Sequence, residues 1–414
     1  MMPLRTLYNF LLKLTWWGLH VVALFSSKID LFVKGRKETK QLLNKSNFQN
    51  DKFIWMHVAS LGEFEQGLPI LEKLKVAYPK RKFILTFFSP SGYEVKKNSG
   101  VANHILYLPM DTKSNVQQFL DAFPIDLAIF VKYEIWPNFL LGLKESGIPT
   151  FLVSAIFSQG QVYFKPWGGF MRKSLKAFDH FFVQDIGSKT LLQEIGFTNT
   201  TVSGDTRFDR VAKILDQHNA MDFMDGFKSE QLCCVAGSTW PEDEEILVNY
   251  INATTHNIKF VLAPHTIKPS KIDKLKASLE VPAICYSEIN DNELSSYQVL
   301  IVDTIGLLTK IYSYANIAYV GGAFATGLHN TLEPAVFGVP IIIGPDYSGF
   351  KEAEDLVALK GIQTVQNKTE FKILMDKFVT DSKYRESIGE INTSYIQNNL
   401  GATDSFMKTI KKVL

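Results

Sequence analysis

The stretch FIWMHVASLGEF, residues 53–64, decides the fold. From Phe53 to Val58 the chain is apolar except for His57, the composition of a buried strand. Ser60-Leu61-Gly62-Glu63 then interrupts the run, and Gly62 permits a tight turn. From Phe64 to Ala77 the apolar residues take helical spacing. A strand that feeds a helix through a short polar turn is the repeating unit of a parallel sheet.

The unit recurs outward from that stretch. Strands are predicted at Phe83–Phe88, Ile105–Leu108, Leu127–Val131, Thr150–Ser154, His180–Gln184 and Thr201–Ser203, with helical patterns such as 116–123 and 187–195 between them. The polar run DQHNAMDFMDGFKSE, 216–230, reads as a linker. Alternation resumes at Leu232–Ala236, Lys259–Ala263, Val299–Val302, Ile317–Val320, Pro340–Ile343 and Gln363–Val365, and helices close the chain. This predicts an α/β protein with two doubly wound, Rossmann-like domains, 46–215 and 216–414, behind a segment 1–45. In such sheets ligands bind outside the carboxyl ends of the strands. No GxxxxGK[ST] or GxGxxG loop occurs, so P-loop and dinucleotide readings lose support.

Composition narrows the function classes. A formal net charge of +2 on 414 residues offers no bulk attraction to nucleic acid. Residues 1–45 carry eight Lys/Arg against two acids, a balance of +6, which leaves −4 on the remainder. That charge adjoins the apolar run YNFLLKLTWWGLHVVALF, 8–25, interrupted by Lys13 and His20. A spanning helix needs about 20 mostly apolar residues, while paired Trp and flanking Lys suit a helix lying at the interface. The expectation is a membrane anchor, spanning or interfacial, with the rest of the chain on the cytoplasmic face of an inner membrane and anionic lipid as a partner. An ordinary buried helix is the alternative. Three cysteines, two of them adjacent, make no disulfide framework and no zinc spacing.

Polar motifs follow the strands. Glu63, at a strand end and a helix start, stands where a general base works; the simpler reading is a first-turn acid that stabilises its helix. Glu134, in KYEIWPN (132–138), is placed to face the same cleft as a second catalytic carboxylate, or to cap locally beside Trp136. Arg207, in SGDTRFD (203–209), suits an anionic donor or a surface pair with Asp205 or Asp209. The turn AGSTWPE (236–242) has the shape that cradles phosphate with backbone N–H groups, with Ser238 or Thr239 as an N-cap. Pro264 and His265 follow another strand, as do Ile305, Gly306 and Leu307. Gly321 and Gly322 lead into Asn330-Thr331-Leu332-Glu333, where Asn330 and Glu333 share a helix face, either toward ribose hydroxyls or as a capping box. No Asp-x-Asp pair is present to clamp a metal–diphosphate, so no metal and no cofactor are called for.

Together the motifs resemble the bacterial 3-deoxy-D-manno-octulosonic acid (Kdo) transferase family. The landmarks are HVASLGE (57–63), FSPSGYE (88–94), YLPMD (107–111), EIWPN (134–138), GDTRFD (204–209), AGSTWPEDEE (236–245), DTIGLL (303–308), YVGGAF (319–324) and HNTLEPAVFGVPIIIGP (329–345). The resemblance implies a GT-B fold, an inverting glycosyltransferase with CMP-Kdo as donor, and a lipid A precursor (lipid IVA) as acceptor in lipopolysaccharide biosynthesis. It implies that the first domain binds the acceptor and the second the donor. Glu63 falls on the family's general base and Arg207 on a transition-state lysine. Pro264 and His265 fall on a Pro-Arg pair that contacts CMP, and Ile305, Gly306 and Leu307 on a second CMP-contacting turn. Asn330, Thr331, Leu332 and Glu333 fall on the nucleotide site. Lys132 stands where many members have Glu, and His265 replaces Arg. Two rivals share the fold class: a nucleotide-sugar epimerase, and a membrane-attached binding protein with a degenerate site.

Overall fold

A computed structural model describes residues 4–45, 48–290, 293–325 and 327–414. The chain forms two compact units, residues 1–210 with 400–414, and residues 211–399.

The first unit is built on seven parallel strands: β1 (Phe53–Val58), β2 (Lys82–Phe87), β3 (His104–Tyr107), β4 (Ile125–Val131), β5 (Thr150–Ala155), β6 (His180–Val183) and β7 (Thr200–Val202). Their order is β3-β2-β1-β4-β5-β6-β7, so the sequence stretch that opens the domain lies in the interior of the sheet. Every residue of β1 is buried, and its side chains alternate. Phe53 and Trp55 join the core on one face with Phe119, Phe130 and Phe139. Ile54, Met56 and Val58 join the core on the other with Phe64, Ile70 and Leu71. A strand covered on both faces gains from apolar residues at every position, which is why β1 reads as a continuous run.

Before the sheet come helices α1 (Leu4–Val22) and α2 (Ser27–Lys45), and α3 (Leu61–Ala77) follows β1. Among the described residues no helix is long and apolar enough to cross a membrane, which overturns the spanning alternative for α1. Charged Arg5 and Lys13, with polar Thr6, Asn9, Thr15 and His20, dilute the apolar character of the helix. The buried-helix alternative also falls, because α1 has no buried residue. Leu12, Trp16 and Leu19 pack partway against Phe32 and Val33 of α2, while Phe10, Leu14 and Trp17 are 57%, 55% and 69% exposed.

The second unit repeats the architecture with β8 (Leu232–Thr239), β9 (Ile258–Pro264), β10 (Ala283–Cys285), β11 (Val299–Ile301), β12 (Ile317–Val320), β13 (Ile341–Ile343) and β14 (Ile362–Thr364). All pairings are parallel, in the order β10-β11-β9-β8-β12-β13-β14.

Three boundaries differ from the sequence expectation. The units part between Arg210 and Val211 rather than at 215, inside the helix Thr206–Leu215. Residues 400–414 belong to the first unit, because Phe406, Met407 and Ile410 of the helix Ala402–Ile410 complete the core beside α3. The expected linker 216–230 contains a helix, Asp222–Lys228, that buries Met224 and Phe227. Its two apolar anchors were too few to register as a periodic pattern. The edge strand β10, three residues long, carries too little signal in the sequence.

Candidate active site

In the first unit, α3 starts at the carboxyl end of β1 and carries Glu63 in its first turn. Glu63 is 7% exposed. Its Oε2 accepts from the Ser60 N–H at 3.1 Å and from the Ser60 hydroxyl, so the helix-start reading holds. Its Oε1 lies 3.7 Å from Lys132 Nζ. Lys132 follows β4 with φ 67°, a left-handed conformation that costs a side-chain-bearing residue about 1 kcal/mol. Strain of this kind collects at functional sites. The Lys132 N–H donates to Val153 O at 2.8 Å, which pins the turn. The departure from the family pattern therefore brings a cation to the candidate base.

Glu134 has different company. It is 8% exposed, and its Oε2 accepts from the Trp136 indole N–H at 3.0 Å and lies 3.2 Å from His57 Nε2. His57 is fully buried, and its Nδ1 sits 2.8 Å from Thr86 Oγ1. Trp55 Nε1 donates to that same hydroxyl at 2.8 Å. Sequence patterns alone assign no chemical role to His57 or Trp136. The available signal was a lone polar residue in a strand buried on both faces, which needs a partner.

Arg207 meets Asp205, as its simpler reading held: Nε donates to Oδ2 at 2.8 Å and the backbone N–H to Oδ1 at 2.9 Å. Asp205 also accepts from Gln66 Nε2 at 3.0 Å, which links Arg207 to α3 one turn beyond Glu63. Asp209 instead accepts from the N–H groups of Gly401 and Thr403, and so holds the returning C-terminal helix.

A further buried carboxylate, Asp111, ties α1 to the unit. It accepts from the Tyr8 hydroxyl at 2.8 Å and from the N–H groups of Asn138 and Phe139 at 3.0 and 2.8 Å. It thereby caps the helix Pro137–Glu145, whose own N-cap Trp136 supplies no side-chain bond. Burial pushes the Asp111 carboxyl up to about 6, against the hydrogen bonds that favour its charged form.

In the second unit β8 ends in Gly237-Ser238-Thr239, and the helix Pro241–Ala253 follows with Trp240 as N-cap. Ser238 and Thr239 lie in the strand, so neither is the cap that the sequence suggested. Ser238 has φ 55°, a second left-handed non-glycine residue at a strand end. The expected phosphate cradle is partly filled. Asp243, fully buried, accepts from the N–H groups of Trp240 and Gly322, each at 2.9 Å, and from the Tyr319 hydroxyl at 2.6 Å. Gly321 has no room for a side chain, since a Cβ there would stand 2.5 Å from Ser238 O.

His265 lies between two rings. It stacks on Trp240 at 4.7 Å and 18°, and its centroid is 4.7 Å from that of His329. Trp240 Nε1 donates to His329 Nε2 at 3.1 Å. Burial, then the neighbouring His265, push the His329 pKa down. Pro264 closes β9, and the His265 N–H donates to Thr239 O at 2.9 Å. In the second turn Ile305 is 90% exposed, Gly306 takes φ +95°, and Leu307 caps a short helix, Leu308–Ile311. At the third, the helix begins at Leu332 with Thr331 as N-cap rather than Asn330. Asn330 instead accepts from the Leu332 N–H at 3.1 Å and donates to Glu333 at 3.1 Å. Glu333 also accepts from Thr309 at 2.9 Å, which joins the second and third turns. The buried Thr331 Oγ1 has no hydrogen-bond partner among the described residues.

The arrangement is two parallel sheets with strand-end turns rich in polar groups, and known proteins share it. The UDP-GlcNAc 2-epimerase of Neisseria meningitidis superimposes with a TM-score of 0.62 at 15% identity, over 87% of this chain and all of the other. MurG of Acinetobacter baumannii does so with 0.54 at 11% identity, over 87% and 99%. These likenesses establish the fold, which is GT-B. Along the sequence, residues 33–210 match the family described as 3-deoxy-D-manno-octulosonic-acid transferase (kdotransferase). A 3-deoxy-D-manno-octulosonic acid transferase of Rickettsia bellii is 27% identical over 100% of this chain and 99% of its own length. One of Aquifex aeolicus is 28% identical over 86% and 96%. The protein is a glycosyltransferase. Over residues 33–210 it resembles the Kdo transferase family, and relatives matched along most of its length bear that name.

Proposed function

We propose that the protein transfers Kdo from CMP-Kdo to a lipid A precursor of the lipid IVA type, with Glu63 as general base. The supporting observation is the Glu63–Lys132 pair: a buried carboxylate at the carboxyl end of a central strand, oriented by Ser60, with a cation 3.7 Å away. Full-length relatives named as Kdo transferases support the donor sugar.

In this reading Glu63 takes the proton of an acceptor hydroxyl. That oxygen bonds to the anomeric carbon of Kdo, the bond from this carbon to the CMP phosphate oxygen breaks, and CMP leaves with inversion. Arg207, oriented by Asp205, offsets the developing negative charge. Glu134 acts as a positioning residue, because its Oε2 is already engaged by His57 and Trp136. Donor contacts are assigned to Ser238, Pro264, His265, Ile305, Gly306, Leu307, Asn330, Thr331, Leu332 and Glu333. The exposed apolar side of α1 rests on the inner membrane, on its cytoplasmic face, as an interfacial helix.

The test is CMP release from CMP-Kdo, with and without acceptor. Wild-type release requires acceptor. Glu63→Gln keeps the helix-start hydrogen bonds and lowers kcat by about 10²–10⁴-fold. Near-normal turnover in that variant refutes the base assignment.

A further inference from the structure

The basic segment Lys28–Lys45 is not uniformly turned to water. Arg36 of α2 is 4% exposed. Its guanidinium carbon lies 3.5 Å from the centroid of Phe32, 4.8 Å from that of Phe88 and 5.2 Å from that of Tyr107. One terminal nitrogen donates to Phe32 O at 3.3 Å and the other to Phe88 O at 3.0 Å. Both acceptors are neutral carbonyls, and the buried Nε has no hydrogen-bond partner among the described residues. Burial lowers the Arg36 pKa to about 9. Buried charges are ordinarily paired, because an isolated one is costly. Among the described residues, Arg36 is thus a buried cation with no carboxylate in an ion pair with it.

Arg36 lines a cavity of about 240 Å³ together with Trp16 and His20 of α1, Lys37 and Lys40 of α2, and Met110. Among the described residues no Asp or Glu is in that wall. Lys37 and Lys40 are exposed at its rim. The helix that supplies Trp16 and His20 turns Phe10, Leu14 and Trp17 to the outside. An acid-free cationic cavity beside an unburied apolar helix matches a molecule with an anionic head and hydrocarbon chains. A planar guanidinium fork with a vacant donor favours phosphate over a halide or a hydroxyl.

We infer that this cavity binds the phosphate group of a lipid, with Arg36 as the inner donor and Lys37 and Lys40 at the rim. The inference rests on the interfacial reading of α1 and is independent of the transfer step. Two sources carry this chemistry: a bilayer phospholipid headgroup, or a phosphate on the acceptor glycolipid.

Short-chain phosphatidic acid, soluble below its micelle concentration, is titrated into the full-length protein by calorimetry, with short-chain phosphatidylcholine as control. Saturable binding of phosphatidic acid alone is expected. Lys37→Ala with Lys40→Ala weakens it by about tenfold or more, and Arg36→Met removes it. Lys28→Ala with Lys45→Ala deletes the same charge on α2 outside the cavity and changes affinity by no more than about twofold. Equal loss from both lysine pairs, or no saturable binding by the wild type, overturns the site. The wild-type titration and the lysine pairs decide the matter even where Arg36→Met fails to fold. Competition by the soluble phosphorylated acceptor disaccharide assigns the site to acceptor, and its absence assigns it to membrane phospholipid. CMP release measured separately reports on the transfer reading, so each proposal fails by its own readout.

Discussion

The two sheets finish their strands in opposite ways. In the first unit the carboxyl ends of β1 and β4 present ionisable groups: Glu63 with Lys132 at 3.7 Å, and Glu134 with His57 at 3.2 Å. In the second, the ends of β8, β9 and β12 present ring faces and backbone. Trp240, His265 and His329 form a ladder, and the most buried carboxylate, Asp243, faces backbone N–H groups and the Tyr319 hydroxyl. One unit gathers ionisable groups into close pairs. The other uses its buried carboxylate to fix two turns and leaves stacked rings at the strand ends. The same strand–turn–helix unit serves both, so the difference lies in what the turn residues find in three dimensions.

Asp243→Ala tests that division with the largest expected effect. It strands two N–H groups and a tyrosine hydroxyl in the interior, and unsatisfied buried groups cost about 1–3 kcal/mol each. Denaturant unfolding is expected to show a loss of about 3 kcal/mol or more. Glu63→Gln should leave the midpoint nearly unchanged while it removes activity. If Asp243→Ala instead unfolds like wild type, Asp243 is not the brace of the turns.

A smaller effect is expected at the ladder. His265→Ala removes the middle ring, and KM for CMP-Kdo should rise about tenfold, the equivalent of about 1.4 kcal/mol. The kcat at saturating donor should hold, and His265→Phe, which keeps a flat ring, should recover much of the loss. A fall in kcat with KM unchanged would move His265 from recognition to chemistry.

The smallest effect falls on Ile305. At 90% exposure it packs against little, so Ile305→Ala should shift stability by less than about 0.5 kcal/mol. Any rise in donor KM then reports contact with ligand alone. Unchanged stability and unchanged KM together would drop Ile305 from the donor site.

Much of this was legible in the chain. Continuous apolar runs such as Phe53–Val58 specify strands buried on both faces, because only parallel sheets covered by helices use that pattern. The motifs at the strand ends, with their order, pointed to the family that the chain resembles. Turn geometry was less legible. Ser238 read as a cap and lies in a strand; Asn330 read as a cap and stands one residue before it. Hydrogen-bond register at a helix start depends on one dihedral, and neighbouring polar residues satisfy the same pattern.

What the sequence determined by itself is the class of fold, the two-unit plan and the positions of Glu63 and Arg207 at strand and helix junctions. These depend on periodicity and on turn residues, which are local. The partners were settled only by tertiary structure. Lys132 with Glu63, His57 with Glu134, Asp243 with Gly322 and Arg36 within its aromatic cage are contacts between distant segments. Glu63 shows the consequence: its place was written in residues 53–64, and its cation came from the end of another strand.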